Sequence, residues 1–340
     1  MNKLTKIGLT ALAGSLASIA GAQAGSMSVS GGVTVTHTTT SGGATGQSTQ
    51  SGNPIGMTNN LTITGSGELD NGISWTANAY NSDAQALTSS NLTFDLAGAG
   101  SLLVDFGAGG MGLDSLDDWM PTAWEESWDT GAVSGVRTVS GIHGSAAIQY
   151  TTPADALPFG ASVELAWSPK VDGGGLQSDK GNSANASAVA ESGWDANLIL
   201  SPVDGLTIKA GYSDVGQTGV DSNEQGTYGF TYSAGAFTFG MQQSYIDVDT
   251  GATSTINYYD NLNWGVAFNV NDNLSVSYAD YESEENMGTT GGQTLEIDSV
   301  QVAYNMGGAT FKLAETEVSD AKYTAGVENN ATTVGISLAF

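Results

Sequence analysis

Apolar side chains recur at every second position along most of this chain. Val29, Val33 and Val35 begin the series, and Ile73, Trp75, Ala77 and Ala79 continue it. Leu102, Val104 and Phe106 follow, then Trp194, Ala196, Leu198 and Leu200. Leu262, Trp264, Val266 and Phe268 repeat the pattern, and Val334, Ile336, Leu338 and Phe340 end it. A period of two places the apolar residues of a strand on one face. About sixteen such segments are present, an even number in the range of membrane barrels. Tight turns such as Asp70-Asn71-Gly72, Asn271-Asp272-Asn273 and Gly307-Gly308 alternate with long polar stretches at 41–56, 168–192, 213–224 and 284–294. This alternation predicts an all-β fold: a transmembrane antiparallel barrel with short turns on one rim and long loops on the other.

The ionisable residues say which face meets water. Glu68, Asp95, Asp105, Glu164, Asp195, Lys209 and Lys312 fall on the face opposite the apolar one and are expected to line the interior. A soluble barrel places apolar side chains inside, so the reverse pattern points to lipid outside and water within. Closure also satisfies backbone groups that lipid cannot. Asp260, Glu296, Asp298 and Glu315 break the rule by falling on the apolar face. Each lies near a long connection, where strands project beyond the bilayer or bulge. Trp167, Trp194, Tyr212, Phe237 and Tyr304 are candidates for aromatic girdles at the membrane interfaces.

The first residues form an export signal. Lys3 and Lys6 precede a small apolar run from Ile7 to Ala20, and Ala22-Gln23-Ala24 is a cleavage site. Residues 1–24 are therefore read as a signal peptide and residues 25–340 as the barrel. No later apolar stretch is long enough for a spanning helix. Beyond the signal, 35 acidic residues face six basic ones, a net charge of −29. Such a balance excludes a nucleic-acid partner, which requires a basic footprint. There is no cysteine, so disulfides contribute nothing to stability. The two histidines, His37 and His143, accompany no serine motif. No catalytic residue is expected, and the chain is not read as an enzyme.

The last strand, Val334-Gly335-Ile336-Ser337-Leu338-Ala339-Phe340, resembles the ending of Gram-negative porins. With the export signal and the barrel pattern, the resemblance spans nearly the whole chain and is to general diffusion porins of the trimeric type. It implies a homotrimer in the lipid of the Gram-negative outer membrane. Phe340 would be the signal read by the barrel-assembly machinery. The implied function is a water-filled channel for passive diffusion of small hydrophilic solutes and ions. General porins fold their third long loop into the barrel, and the third long connection here runs over about 107–144.

That connection is rich in chemistry. Asp114, Asp117, Asp118, Glu125, Glu126 and Asp129, with Arg137, are expected at the pore constriction. Trp119, Trp124 and Trp128 suit anchors against a wall, and Pro121 could open a short helical turn. Carboxylates ringing a low-dielectric pore favour cations. The basic counterpart is thin: Arg137, Lys170, Lys209 and Lys312 are its candidates. No cofactor is required. Crowded carboxylates attract counterions, so Asp114, Asp117, Asp118, Glu125 and Glu126 are also candidates for calcium, against the alternative of a hydrated acidic cluster. Asp247-Val248-Asp249-Thr250-Gly251 resembles a calcium loop but lacks its full spacing. Two rival functions remain open: a substrate-specific channel of the same fold, and a secreted acidic calcium-binding β-protein.

Overall fold

Period-two patterning becomes sixteen strands that close, in chain order, into one antiparallel barrel. The computed structural model describes residues 25–43, 53–82, 86–107, 109–117, 119–144, 146–153, 156–171, 190–219, 221–248, 256–287 and 292–340. The strands are β1 (Ser26–Gly42), β2 (Ile55–Glu68), β3 (Ser74–Ser82), β4 (Ala86–Asp95), β5 (Ser101–Phe106), β6 (Ala146–Thr151), β7 (Ser162–Ser168) and β8 (Ala190–Val203). They continue as β9 (Leu206–Gln217), β10 (Asn223–Ala234), β11 (Phe237–Asp247), β12 (Tyr258–Asn271), β13 (Leu274–Asn286), β14 (Thr294–Met306), β15 (Ala309–Ser319) and β16 (Asn329–Ala339).

Closure falls between the first and last strands. Val35 lies opposite Ile336 and His37 opposite Val334. Beyond the last ladder pair, the N–H groups of Gly31 and Phe340 each donate to the other's carbonyl at 2.9 Å. The Phe340 ring covers Gly31, where an added Cβ would stand only 3.1 Å from it. A sheet closed this way has no free edge to aggregate through.

Turn chemistry fixes one rim. The Asn71 side chain accepts from Ile73 N at 3.2 Å, and that of Asn271 from Asn273 N at 2.9 Å. Gly205 takes a φ of 77°, which a side chain would strain. Two of the expected lining residues belong to this rim rather than to mid-strand. Glu68 and Asp95 end β2 and β4, both opposite Ser74. Asp95 accepts from Ala97 N at 3.1 Å and so shapes its own turn.

The two faces of the wall differ as their parity requires. Trp167, Trp194, Tyr212, Phe237 and Tyr304 are all exposed on the apolar face. Trp167 pairs with Trp194 at the long-loop end, and Trp194 lies 5.4 Å from Tyr212. Phe237 stacks on Phe268 at 4.4 Å near the turn rim. On the opposite face Asp105, Asp195, Asn197, Gln242, Asn261 and Gln301 are buried.

The alternation inverts near the long-connection ends of β13, β14 and β15. There Tyr281, Leu295, Ile297 and Val318 turn to the otherwise polar face and pack with Ala132 and Ala331, against Trp128 and Val136. The acids take the other side. Asp260 faces Glu284, Glu282 faces Glu296, and Asp298 faces both Asp280 and Glu317, in unbroken register. No bulge therefore places Asp260, Glu296, Asp298 and Glu315 on the apolar-parity face. The polar-parity side there meets packed protein and needs apolar side chains, which leaves the other side for charge.

Candidate functional site

The connection between β5 and β6 is held against the polar face of the wall almost residue by residue. A 3-10 turn, Gly112–Leu116, opens it. No helix follows Pro121; residues 123–131 form bends and turns instead. Gly112 N donates to Gln149 Oε1 at 2.7 Å and Leu113 N to Asp195 Oδ2 at 2.8 Å. Gln242 Nε2 donates to Leu116 O at 2.5 Å. Trp124 N and Glu125 N both donate to Gln301 Oε1 at 3.0 Å, and Gln301 Nε2 returns a bond to Glu125 O at 2.7 Å. Thr333 donates to Thr130 O at 2.6 Å, and Asn329 Nδ2 to Val133 O at 2.7 Å. The chain then doubles back. Asn261 Nδ2 donates to Arg137 O at 3.0 Å, Ser140 N to Gln225 Oε1 at 2.8 Å, and Ile142 N to Asp195 Oδ2 at 3.3 Å.

Asp195 therefore receives both ends of the excursion. It is 1% exposed. Gly112 and Gly141 sit beside it with φ of 56° and 54°. A Cβ on either would come within 2.4 Å of its carboxylate, so only glycine permits the approach.

The sequence-derived site residues divide into separate groups. Asp114 accepts from Gly110 N at 2.8 Å and lies 2.9 Å from Nδ1 of His143. That hydrogen bond raises the His143 pKa, against the opposing effect of its partial burial. Asp117 shares a small cleft with Gln242, Ser244, Asn261 and Asn263. Asp118 lies outside the described residues. Glu125, Glu126 and Asp129 bring carboxylate oxygens within 4.8 Å of one another, and burial raises the pKa of Asp129. Of the residues proposed for calcium, only Glu125 and Glu126 join this trio; Asp249 and Gly251 of the second candidate lie outside the described residues. Glu164 accepts from Asn197 Nδ2 at 3.0 Å. Arg137 is exposed, and its guanidinium acts on Tyr259. Trp128 packs edge-on against Tyr281 at 5.0 Å. Lys209 and Lys312 direct their Nζ atoms over Trp119 and Trp124, at 4.8 and 5.4 Å from the ring centroids.

Charge-based reading of the sequence overlooked the residues that hold the segment. These are mostly uncharged amides at polar parity: Gln149, Asn197, Gln225, Gln242, Asn261, Gln301 and Asn329. A signal existed, because amides recur at polar-parity positions on strand after strand. The glycines that receive the segment were overlooked as well. Leu113 and Leu116 fill the space beside Gly211, and Pro121 fills that beside Gly240 and Gly265.

A protein-family model described as Gram-negative porin matches residues 8–340. Among solved structures, the anion-selective porin from Comamonas acidovorans aligns with a TM-score of 0.63 at 12% identity, covering 93% of this chain and 100% of that one. A porin refined at 1.8 Å aligns with a TM-score of 0.61 at 13% identity, with the same coverage. OmpF of Salmonella typhi, in complex with daunomycin, gives 0.60 at 13%, covering 92% and 97%. At these identities the likeness is one of fold. No curated protein sequence matches the chain.

Proposed function

The chain belongs to the Gram-negative porin family, and from that premise we propose that it is a passive diffusion channel of the outer membrane whose lumen prefers cations. The observation that carries the proposal is the covering of the polar wall face by one acid-rich segment. Its contacts run from β6 and β8 round to β16 and back. Gly131 lies against Thr38 and Thr333, on β1 and β16, while Ile142 bonds to Asp195 on β8. Eleven residues span at most about 36–40 Å. The outer route between those strands crosses eight spacings of about 4.8 Å, lengthened by strand tilt and by the outer radius. The shorter route keeps to the polar face, touching Asn261 on β12 and Gln225 on β10 on the way. On this reading the segment narrows the lumen.

The sign of selectivity follows from the balance of acidic and basic groups on the segment and the wall around it. Glu125, Glu126 and Asp129 concentrate negative potential on the segment. The two inward lysines place their ammonium groups over indole rings, and the acids outnumber them. One structural neighbour is described as anion-selective, so the fold itself does not set the sign; the lining does. The same carboxylate trio is where calcium would bind. Export through residues 1–24, which lie outside the described residues, belongs to this proposal, as do a homotrimer and recognition of Phe340 by the assembly machinery. Reconstitution into planar bilayers tests the reading. Stepwise, ohmic currents carried mainly by cations are expected; absence of conductance would overturn it.

A further inference from the structure

Two cross-strand pairs on the inner face are built alike. Lys209 on β9 lies directly opposite Gly229 on β10, and Lys312 on β15 lies directly opposite Gly335 on β16. Each pair receives one indole from the β5–β6 segment. Trp119 lies above Gly229, where an added Cβ would meet Met241 O at 2.2 Å and the ring at 3.0 Å. Trp124 does the same at Gly335, at 3.3 Å. In each case the lysine of the pair places its Nζ over the ring that its glycine partner admits, at 4.8 and 5.4 Å from the centroid. Both distances are within cation–π range. Neither indole N–H has a hydrogen-bond partner among the described residues. The ring faces, not the N–H groups, therefore fix these side chains.

The two sites stand at the ends of one short bridge. Only Met120, Pro121, Thr122 and Ala123 separate the tryptophans, and Pro121 is received on the way by Gly240 and Gly265. Glu125 and Glu126 follow at once. We infer that Lys209 and Lys312 are positioning residues, each clamping one tryptophan into a glycine notch, so that the pair of clamps sets where the acidic trio sits. The inference rests on the channel reading above for its functional consequence. It differs from the ordinary view of a lumen lysine, a fixed positive charge that repels cations. A charge acts whether or not Trp124 is present, whereas a clamp does not.

A double-mutant cycle on the full-length protein separates these. Lys312→Met, Trp124→Leu, the double variant and Lys312→Arg are compared in planar bilayers in potassium chloride. Unfolding midpoints of the same proteins are followed in detergent. Either single variant should replace the steady single current level with noise and substates, and the double should be no worse than either. Arginine should restore the steady level, because a guanidinium also stacks on an indole face. Each single variant should lower the unfolding midpoint, and the double by no further amount. Additive effects in the double would overturn the clamp. So would a Lys312→Met channel that keeps its steady level and only shifts its zero-current potential. A wild-type protein that never conducts would overturn the channel reading, and the unfolding cycle would then decide the clamp alone. If either single variant fails to fold, the Lys209 and Trp119 pair supplies the same cycle.

Discussion

The imidazole of His143 lies 2.9 Å from the carboxylate of Asp114, joining the return of the β5–β6 segment to its first turn. The charge attraction between the two is present only when the imidazole is protonated. Its hydrogen bond to Asp114 raises the His143 pKa above the ordinary 6.5, so the folded state holds that proton more tightly than the unfolded one. The stabilisation is fully present below about pH 6.5 and is lost as pH rises through the raised value. His143 is nearly half exposed, and solvent screening then limits the gain to within about 1 kcal/mol. Histidine NMR of the protein in detergent should show one imidazole titrating above pH 6.5. His143→Gln should remove that signal and flatten the stability profile above about pH 6.5. A titration of His143 at or below 6.5 would contradict the pairing.

Asp195 holds the two ends of the segment through the backbone N–H groups of Leu113 and Ile142. Asp195→Ala leaves both donors without this acceptor in a buried place. Unsatisfied buried donors cost about 1–3 kcal/mol each, so the barrel should unfold more readily by an amount of that order. Asp195→Asn, which keeps an acceptor oxygen and the same volume, should lose less. Denaturant unfolding of the three proteins in detergent measures the order; equal stability of Asp195→Ala and wild type would remove Asp195 as the anchor.

Gly211 provides a test of packing on its own. A Cβ there would meet Leu113 and Leu116 at 2.6 and 2.8 Å, and overpacking of this kind costs about 1–3 kcal/mol. Gly226, on the neighbouring strand, faces the other way, and its added Cβ has no neighbour closer than 3.6 Å. Gly211→Ala should lower the unfolding midpoint while Gly226→Ala leaves it nearly unchanged. A reversed order would mean that the 3-10 turn does not rest on Gly211.

These three sites differ in how far the sequence disclosed them. The barrel was legible because lipid and water impose opposite demands on alternate residues, and Trp194, Leu198 and Asp195 obey them without exception. The rim was legible from Asn71 and Asn271, whose side chains shape their own turns. The inner wall was less so. Leu295, Ile297 and Val318 contradict the parity rule because they face packed protein, and a period of two records only that two sides differ. Asp114 and Glu125 look equivalent along the sequence, yet one is consumed by His143 and the other joins an acidic trio. Only the path of the chain separates them. The glycines at 211, 229 and 335 carry no side chain to reveal what they admit, and Lys209 and Lys312 gave no sign that their partners would be indoles.

The proposed channel takes its selectivity from the carboxylates of the β5–β6 segment. The most direct measurement is the zero-current potential of the reconstituted channel across a roughly tenfold potassium chloride gradient, for wild type and for Glu125→Gln/Glu126→Gln/Asp129→Asn. Wild type should show a cation-preferring potential that shrinks toward 1 M salt, where screening shortens to about 3 Å. The triple variant should lie much closer to zero at low salt. An anion-preferring wild type, or a triple variant with an unchanged potential, would mean that these carboxylates do not set the selectivity.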